Sequence, residues 1–538
     1  MRRRDFLAVA ASLPLIACTK KSAPPLPPGT LSGGDFALGH RLRAGDFPAP
    51  SETRRVPLLI VGAGIAGLSA AWRLERAGLR DFLIYELEEA PGGNARFAEN
   101  EVSAYPLGAH YLPLPTREAR ALRELLADLG ALEGDPQAAR PHYDERLLCA
   151  APQERVYRQG FWEEGLLPRL GVSRAVREEY ARFFDLMQAL REARDEAGRR
   201  AFALPLAFSS PAPRWRSLDG ITMRQWLFDH GLTSPELYWY VDYCCRDDFG
   251  TRAAETSAWA GLHYFACRNG EAANAAPETV LTAPEGNGWI VKRLAPRFAD
   301  RLVTGALAFR LAQTRRRASA DFWLAAEGRS LRIEAEAIVW AAPPFMLPKV
   351  AAGLPAPIAA ACRAETAPWL VANLTLSAPP AAGAGAGLAW DNVLYGSPAL
   401  GYVVATHQHL SAAPGPTVLT YYHALAEMPP AAARELLLRR SQPEWAALIL
   451  AELSRAHADI GRLTKRLDIH RHGHAMVRPV PGLLWGGSRA MLAAGWGRVF
   501  FAHADVSGLS LCEEANYRGV LAAERALALL GQRAVSLL

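Results

Sequence analysis

The chain has 538 residues, 50% of them hydrophobic and 21% charged, with a formal net charge of +6 at pH 7. That length holds two or three domains, and the balance is that of an ordinary globular body, not of a disordered or collagen-like chain. The positive excess rests on arginine, since Lys20, Lys21, Lys292, Lys349 and Lys465 are the only lysines; it is spread through amphipathic stretches such as REARALRELLADLGAL, gathers only in TRRRAS near Arg315, and gives nucleic-acid binding no support.

The first 18 residues, MRRRDFLAVAASLPLIAC, set three arginines ahead of the apolar run Phe6 to Ala17. A bilayer takes about 20 apolar residues, so this run is too short to span one. It reads instead as an address. Arg3-Arg4-Asp5-Phe6-Leu7 resembles the twin-arginine export motif, and Leu15-Ile16-Ala17-Cys18 resembles a lipobox whose cysteine is lipidated. The expectation is a bacterial lipoprotein exported by the twin-arginine machinery, held to a membrane through Cys18 on the periplasmic side. That route carries proteins that fold before they cross. Residues 19–55, with PPLPPG and LSGGD, read as a Pro/Gly-rich tether. The other six cysteines have no C-x-x-C spacing, so no metal site is expected; they are a disulfide pair of unknown partners or buried free thiols.

After the tether comes RRVPLLIVGAGIAGLSAAWRLERAGLRDFLIYELEEAPGGNARF. Val56–Val61 predicts a buried parallel strand, Leu68–Ala77 a helix ended by Gly78, and Asp81–Tyr85 a second strand. Between strand and helix stands Gly62-Ala63-Gly64-Ile65-Ala66-Gly67. Gly62 permits the turn, Gly64 lets backbone approach a pyrophosphate, and Gly67 lets the helix pack closely; the helix N-terminus offers N–H groups to the phosphates. Glu86, about 20 residues on, can accept from the ribose hydroxyls and would repel a 2′-phosphate, which argues against NADP. The order strand, glycine turn, helix, strand, acid predicts a dinucleotide site, for FAD or NAD.

The next residues decide between them through a likeness. Glu88–Arg96, EEAPGGNAR, resembles the second glycine pair of the flavin-containing amine oxidase superfamily, with Asn94 where the family has arginine and Arg96 two places later. YPLGAHYLPLP (105–115), EGNGWIVKRLAPRFADRLVTGALAFRL (285–311), AEAIVWAAPP (335–344) and GRVFFAHADVSGLSLCEEANYRGVLAAERAL (497–527) resemble further segments of that family, in order; GYVVATHQ and LTYYHAL are most similar to its spermidine dehydrogenase and polyamine oxidase branch. The resemblance implies an α/β fold in which a Rossmann-like FAD domain, a doubly wound parallel sheet (56–114, 285–345, 471–538), joins a second α+β substrate domain (115–284, 346–470). It implies noncovalent FAD held by Gly62, Gly64, Ile65, Ala66, Gly67, Glu86, Gly92, Gly93, Asn94, Arg96, Gly108, Ala109, Asp505, Gly508 and Leu509, with Asp505 on the ribitol.

The function implied is oxidation of an amine, polyamine-like, by hydride transfer to flavin N5, the imine then hydrolysed. His110 is the foremost catalytic candidate and His474 the second, each against the alternative of a packed or backbone-bonded histidine; His472 and Arg478 lie nearby. Of Trp390, Tyr395, Tyr402, Tyr421 and Tyr422, the last two sit on one strand and face opposite ways, so at most one meets the substrate. Asp242, Asp247, Asp248, Glu255 and Asp391 are candidates to pair with a distal ammonium. Many amine oxidases carry a lysine on the strand after the APP segment; here that strand, PWLVANLTLS, has none. Two alternatives therefore stand beside amine oxidation: a desaturase or protoporphyrinogen-oxidase-like reaction on an apolar substrate, and a flavin-bound protein without turnover.

Overall fold

The strand that precedes the glycine turn runs Glu52–Val61, four residues longer than its sequence signal, in a computed structural model that describes residues 25–409 and 415–538. The Arg3-Arg4 motif and Cys18 lie outside the described residues. Leu58, Leu59 and Ile60 are fully buried on both faces of the sheet, which is why the run is apolar without alternation. It pairs in parallel with Phe82–Tyr85 on one side and with Arg329–Trp340 on the other, Leu58 facing Phe82 and Trp340 facing Val61. Helix Ile65–Arg76 crosses between the first two strands and packs against helix Cys512–Leu529. The packing is close because Gly519 has no side chain: a Cβ there would stand 2.1 Å from the carbonyl oxygen of Ala66.

The nucleotide sheet has seven strands and is mixed, not wholly parallel as expected. Leu302–Val303, Phe82–Tyr85, Glu52–Val61, Arg329–Trp340 and Val499–Phe501 form the parallel part. Ala318–Leu324 completes it as the antiparallel neighbour of Arg329–Trp340, and Ala306–Gln313 pairs antiparallel with Ala318–Leu324 at the edge. The connections between these three strands are four residues each, too short for a parallel crossover, so the chain must fold back on itself.

The second sheet has nine strands. At its centre Thr366–Leu376 is buried throughout, between Thr464–Val477 and Thr417–Ala424, both antiparallel to it. Its pleat sends Trp369 and Val371 towards helices Arg174–Glu192, Pro235–Phe249 and Ala258–Cys267, and Leu370, Ala372 and Leu374 towards helices Pro430–Arg439 and Gln442–Leu453. The longest of these, Arg174–Glu192, is capped by Ser173, whose hydroxyl accepts from the Val176 N–H.

The tether reading needs correction from residue 28 onward. Pro28 and Thr30 carbonyls accept from Leu467 and Ile469, Leu31–Gly33 is an edge strand of the nine-stranded sheet, and Phe36–Ala44 is a helix. Proline and glycine here shape an edge strand and its exit, not a free linker. The six described cysteines are free thiols, all but Cys512 buried.

Candidate functional site

Two cavities meet where the sheets meet. The larger, about 1320 Å³, runs over the carboxyl ends of the nucleotide strands, from Glu86 and Leu307 to Ser510 and Leu511. Its floor is the glycine turn. Gly62 has φ +100°, in the left-handed region that favours glycine, and a Cβ on Gly67 would lie 1.9 Å from the Gly62 carbonyl oxygen. At Gly64 nothing of the protein lies closer than 3.8 Å to a built Cβ, so the space over it is open to a ligand. Gly64 is also the N-cap residue of helix Ile65–Arg76 and has no side chain to satisfy the first-turn N–H groups. Glu86 sits at the end of its strand with Oε2 accepting from Ala63 N–H and Oε1 from Glu88 N–H. Burial pushes its carboxyl up and those two bonds work against the rise.

Gly62, Gly64, Ile65, Ala66, Glu86, Gly92, Gly93, Asn94, Arg96 and Ala109 all line this cleft. Gly108 lines the smaller cavity instead. Gly67 lines neither; its role is the helix-to-turn contact just described. Three expected cofactor contacts are elsewhere. The Asp505 carboxylate does not line the cleft; it accepts from Ser510 Oγ at 2.6 Å beside His503, and although burial raises it, those partners hold it below its ordinary value. The acid lies inside the 3₁₀ turn Ala504–Ser507. Gly508 closes that turn with φ +78° against Leu484, and Leu509 is fully buried core. His503, Ala504, Ser510 and Leu511 form the cleft wall in their place.

The smaller cavity, about 140 Å³, shares Asn94, Ala109, Asn287, His472, Ala475 and Cys512 with the cleft. Asn94 ties the walls together: its Nδ2 donates to Ala475 O, and its carbonyl accepts from Ala109 N–H. His110 stands in the smaller cavity, stacked on Tyr422 at 4.3 Å and 5.6 Å from Trp390. Desolvation holds its imidazole down at about 3, so it is neutral at any working pH. The pleat that brings Tyr422 here sends Tyr421 to the far side, where its hydroxyl donates to Glu452. Trp369 and Val371 of the 366–376 strand line this cavity, and the strand carries no lysine.

His474 does not reach this cavity; its ring bonds Thr366 Oγ1 at 2.7 Å and lies against Phe345 on the open side of the cleft. His472 bonds the Leu107 carbonyl at 2.6 Å, and Arg478 pairs with Glu255 and Glu365. Of the five candidate acids, Asp247 and Asp248 line the cavity, both from the end of helix Pro235–Phe249. Asp242 pairs with Arg246, and Asp391 lies under the Tyr243 hydroxyl. Asp248 pairs with Arg268; among the described residues Asp247 accepts only from Tyr111 Oη, at 3.1 Å. Sequence reasoning missed Glu513, Arg268 and Asn287, which complete the wall. Burial pushes both Asp247 and Glu513 up to about 7. The cavity thus sets three carboxylates against one guanidinium, with aromatic faces opposite.

The NAD(P)-binding Rossmann-like domain family matches residues 60–129, the glycine turn with its first helix, second strand and the 105–115 segment. No curated protein sequence matches the chain. Among solved structures it is similar to wild-type putrescine oxidase bound to putrescine, at 17% identity over 89% of this chain and 100% of that one with a TM-score of 0.64. Cyclohexylamine oxidase from Brevibacterium oxydans IH-35A is similar at 17% identity over 88% and 99%, with a TM-score of 0.62. A protein assigned as a protoporphyrinogen oxidase from Exiguobacterium sp. 255-15 is similar at 14% identity over 90% and 100%, with a TM-score of 0.58. At these identities the likeness is one of fold: the two-sheet α/β architecture with a Rossmann-like nucleotide domain.

Proposed function

We propose that the chain is an FAD-dependent oxidoreductase acting on a cationic, polyamine-like amine. The cleft residues fit a dinucleotide with an acid for the ribose. Arg96 Nε and Asn287 Oδ1 are buried there without partners among the described residues. The observation that carries the amine reading is the pair of carboxylates, Asp247 and Glu513, that have no cationic partner among the described residues beside the His110–Tyr422 stack. A buried carboxylate without a partner is costly, and an arriving ammonium supplies the missing charge. FAD bound in the cleft supplies the two-electron acceptor for oxidising a carbon–nitrogen bond. The chain's own residues bind and orient: Asp247 and Glu513 hold a distal ammonium, Tyr422 and Trp390 confine the methylene chain, and neutral His110 accepts or offers a hydrogen bond to the reacting nitrogen without adding positive charge.

The FAD is noncovalent. Burial pushes the Cys512 thiol, the cysteine shared by both cavities, far above its ordinary value, so it is no thiolate nucleophile. Acid precipitation of the purified protein releases the yellow colour as FAD into the supernatant; colour retained in the pellet contradicts this. The amine reading is tested by affinity for a diammonium against a neutral diol of equal length. Tighter binding of the diol favours the second reading, an apolar substrate, which rests on Trp369 and Val371 lining the cavity from a strand that carries no lysine.

Export and lipid anchoring stay part of this proposal on the strength of Arg3-Arg4 and Cys18. Replacing both arginines by lysine leaves folded, yellow protein in the cytoplasm, and Cys18→Ala releases it from the membrane fraction. Normal export of the first variant, or a membrane-bound second, overturns the respective claim.

A further inference from the structure

The segment that sequence composition presents as a tether crosses the mouth of the cleft. Gly34, Asp35, Phe36, Gly39, His40 and Arg43 all line it. The crossing is latched at both ends. Leu31–Gly33 lies parallel to the 464–477 strand, Ser32 opposite His470, with Ser32 Oγ 2.9 Å from His470 Nδ1. His470 Nε2 lies 3.4 Å from Arg96 Nη2, and Arg96 Nη1 donates to Glu88 Oε2 at 3.0 Å. Glu88 in turn accepts the Asp35 N–H on both oxygens, at 3.0 and 3.1 Å. The ring of contacts leaves the segment at Ser32 and returns to it at Asp35. It passes through Arg96 and Glu88, and the Glu88 N–H holds Glu86, the ribose acid.

Helix Phe36–Ala44 is capped by Asp35, ended by Gly45 with φ +66°, and has no buried residue. It is therefore no part of the core. Leu42 packs against the core of the nucleotide sheet, the Arg41 guanidinium lies 3.8 Å over Trp323, and Arg471 lies 5.5 Å over Phe36. His40 and Arg43 face the cleft and Lys349 faces it from the other rim; burial, then Arg43 and Lys349, lower the His40 imidazole, and neither cation pairs with a carboxylate among the described residues. Positive charge thus lines the rim above a floor made of a helix N-terminus.

We propose that residues 31–44 are a cofactor strap, which closes over the adenosine and pyrophosphate half of the dinucleotide and retains it, with Arg43 and Lys349 supplying positive charge to the phosphate-bearing part. The strap rests on the dinucleotide reading above. It also sets an order of assembly: the dinucleotide enters before the strap docks.

Hydrogen exchange of residues 35–44 in the full chain separates the possibilities. Apoprotein with FAD or with ADP slows exchange there by about tenfold or more, as a ligand that binds only the closed strap must, while riboflavin, which lacks adenosine and pyrophosphate, does not. Binding of FAD with unchanged exchange overturns the strap and leaves the dinucleotide site standing; no binding of FAD or ADP at all overturns both. A second arm uses Leu42→Asp with Arg43→Glu, which unseats the helix and reverses its charge. FAD dissociation, read by recovery of flavin fluorescence on dilution, becomes about tenfold faster, a loss of about 1.4 kcal/mol, with apoprotein melting unchanged. A rate within twofold of the parent overturns the proposal.

Discussion

Gly64 and Gly67 stand three residues apart and answer to different constraints. A side chain on Gly64 meets no protein atom closer than 3.8 Å, so Gly64→Val keeps the apoprotein fold and loses FAD, with a lower melting temperature because the ligand no longer stabilises the native state. Gly67→Ala drives a Cβ into the Gly62 carbonyl and destabilises the apoprotein itself by about 1–3 kcal/mol, seen in chemical denaturation with or without flavin. Asp247 carries a pH signature. Its carboxyl, raised to about 7 by burial, keeps its proton in the fold at pH values where the unfolded chain has lost it. The unliganded fold therefore loses this contribution to stability as pH rises from about 4 to about 7, and a diammonium must displace the proton below pH 7. Affinity for a diammonium rises with pH up to about 7, with proton release on binding that calorimetry in buffers of different ionisation enthalpy detects. Asp247→Asn removes that part of the release and weakens binding by about 2 kcal/mol or more. His110→Ala leaves the flavin spectrum intact and slows flavin reduction by about 10²-fold; loss of FAD with unchanged reduction of the remaining holoprotein marks the residue as structural. The glycine turn and Glu86 were legible because their chemistry is local: every part lies within 25 residues. Asp505 was misplaced because the 3₁₀ turn Ala504–Ser507 decides which way its carboxylate points, and no periodicity records that. Glu513 and Arg268 were missed because they meet Asp248 only in the folded chain.

At the scale of elements, two helices share one backbone contact. Gly519 of helix Cys512–Leu529 lies against Ala66 O, on the helix whose N-terminus floors the cleft. Gly519→Ala costs about 1–3 kcal/mol of stability by denaturant titration and, by pushing on the Ala66 turn, also weakens FAD; an unchanged FAD affinity would show that the cleft floor is insulated from the helix behind it. In the second sheet the strand carrying Tyr421 and Tyr422 was readable, and Thr417–Ala424 turns the two side chains to opposite faces. The antiparallel part of the nucleotide sheet was not, since a buried run looks the same in either direction. Only the short connections after Gln313 and Leu324 hold the information, and they were passed over in favour of the family pattern. The strap escaped for a similar reason: its partners, Leu467 to Arg471, are more than 430 residues away, and nothing in a Pro/Gly-rich stretch announces them.

At the scale of the molecule, one large cleft and one small cavity share a wall, and function is assigned to their junction. The same view constrains the anchor. Because the chain joins the body at Pro28, the proposed lipid on Cys18 would leave ten residue steps of reach, at most about 35 Å from membrane to body. The account's central claim is that the acid-lined cavity delivers a cationic amine to a flavin held in the cleft. Anaerobic titration of the purified yellow protein tests it most directly. Diamines or polyamines, at stoichiometric amounts and without oxygen, bleach the flavin absorbance of the parent and bleach Asp247→Asn far more slowly. A flavin that stays oxidised with every amine, while an uncharged apolar donor bleaches it, contradicts the account.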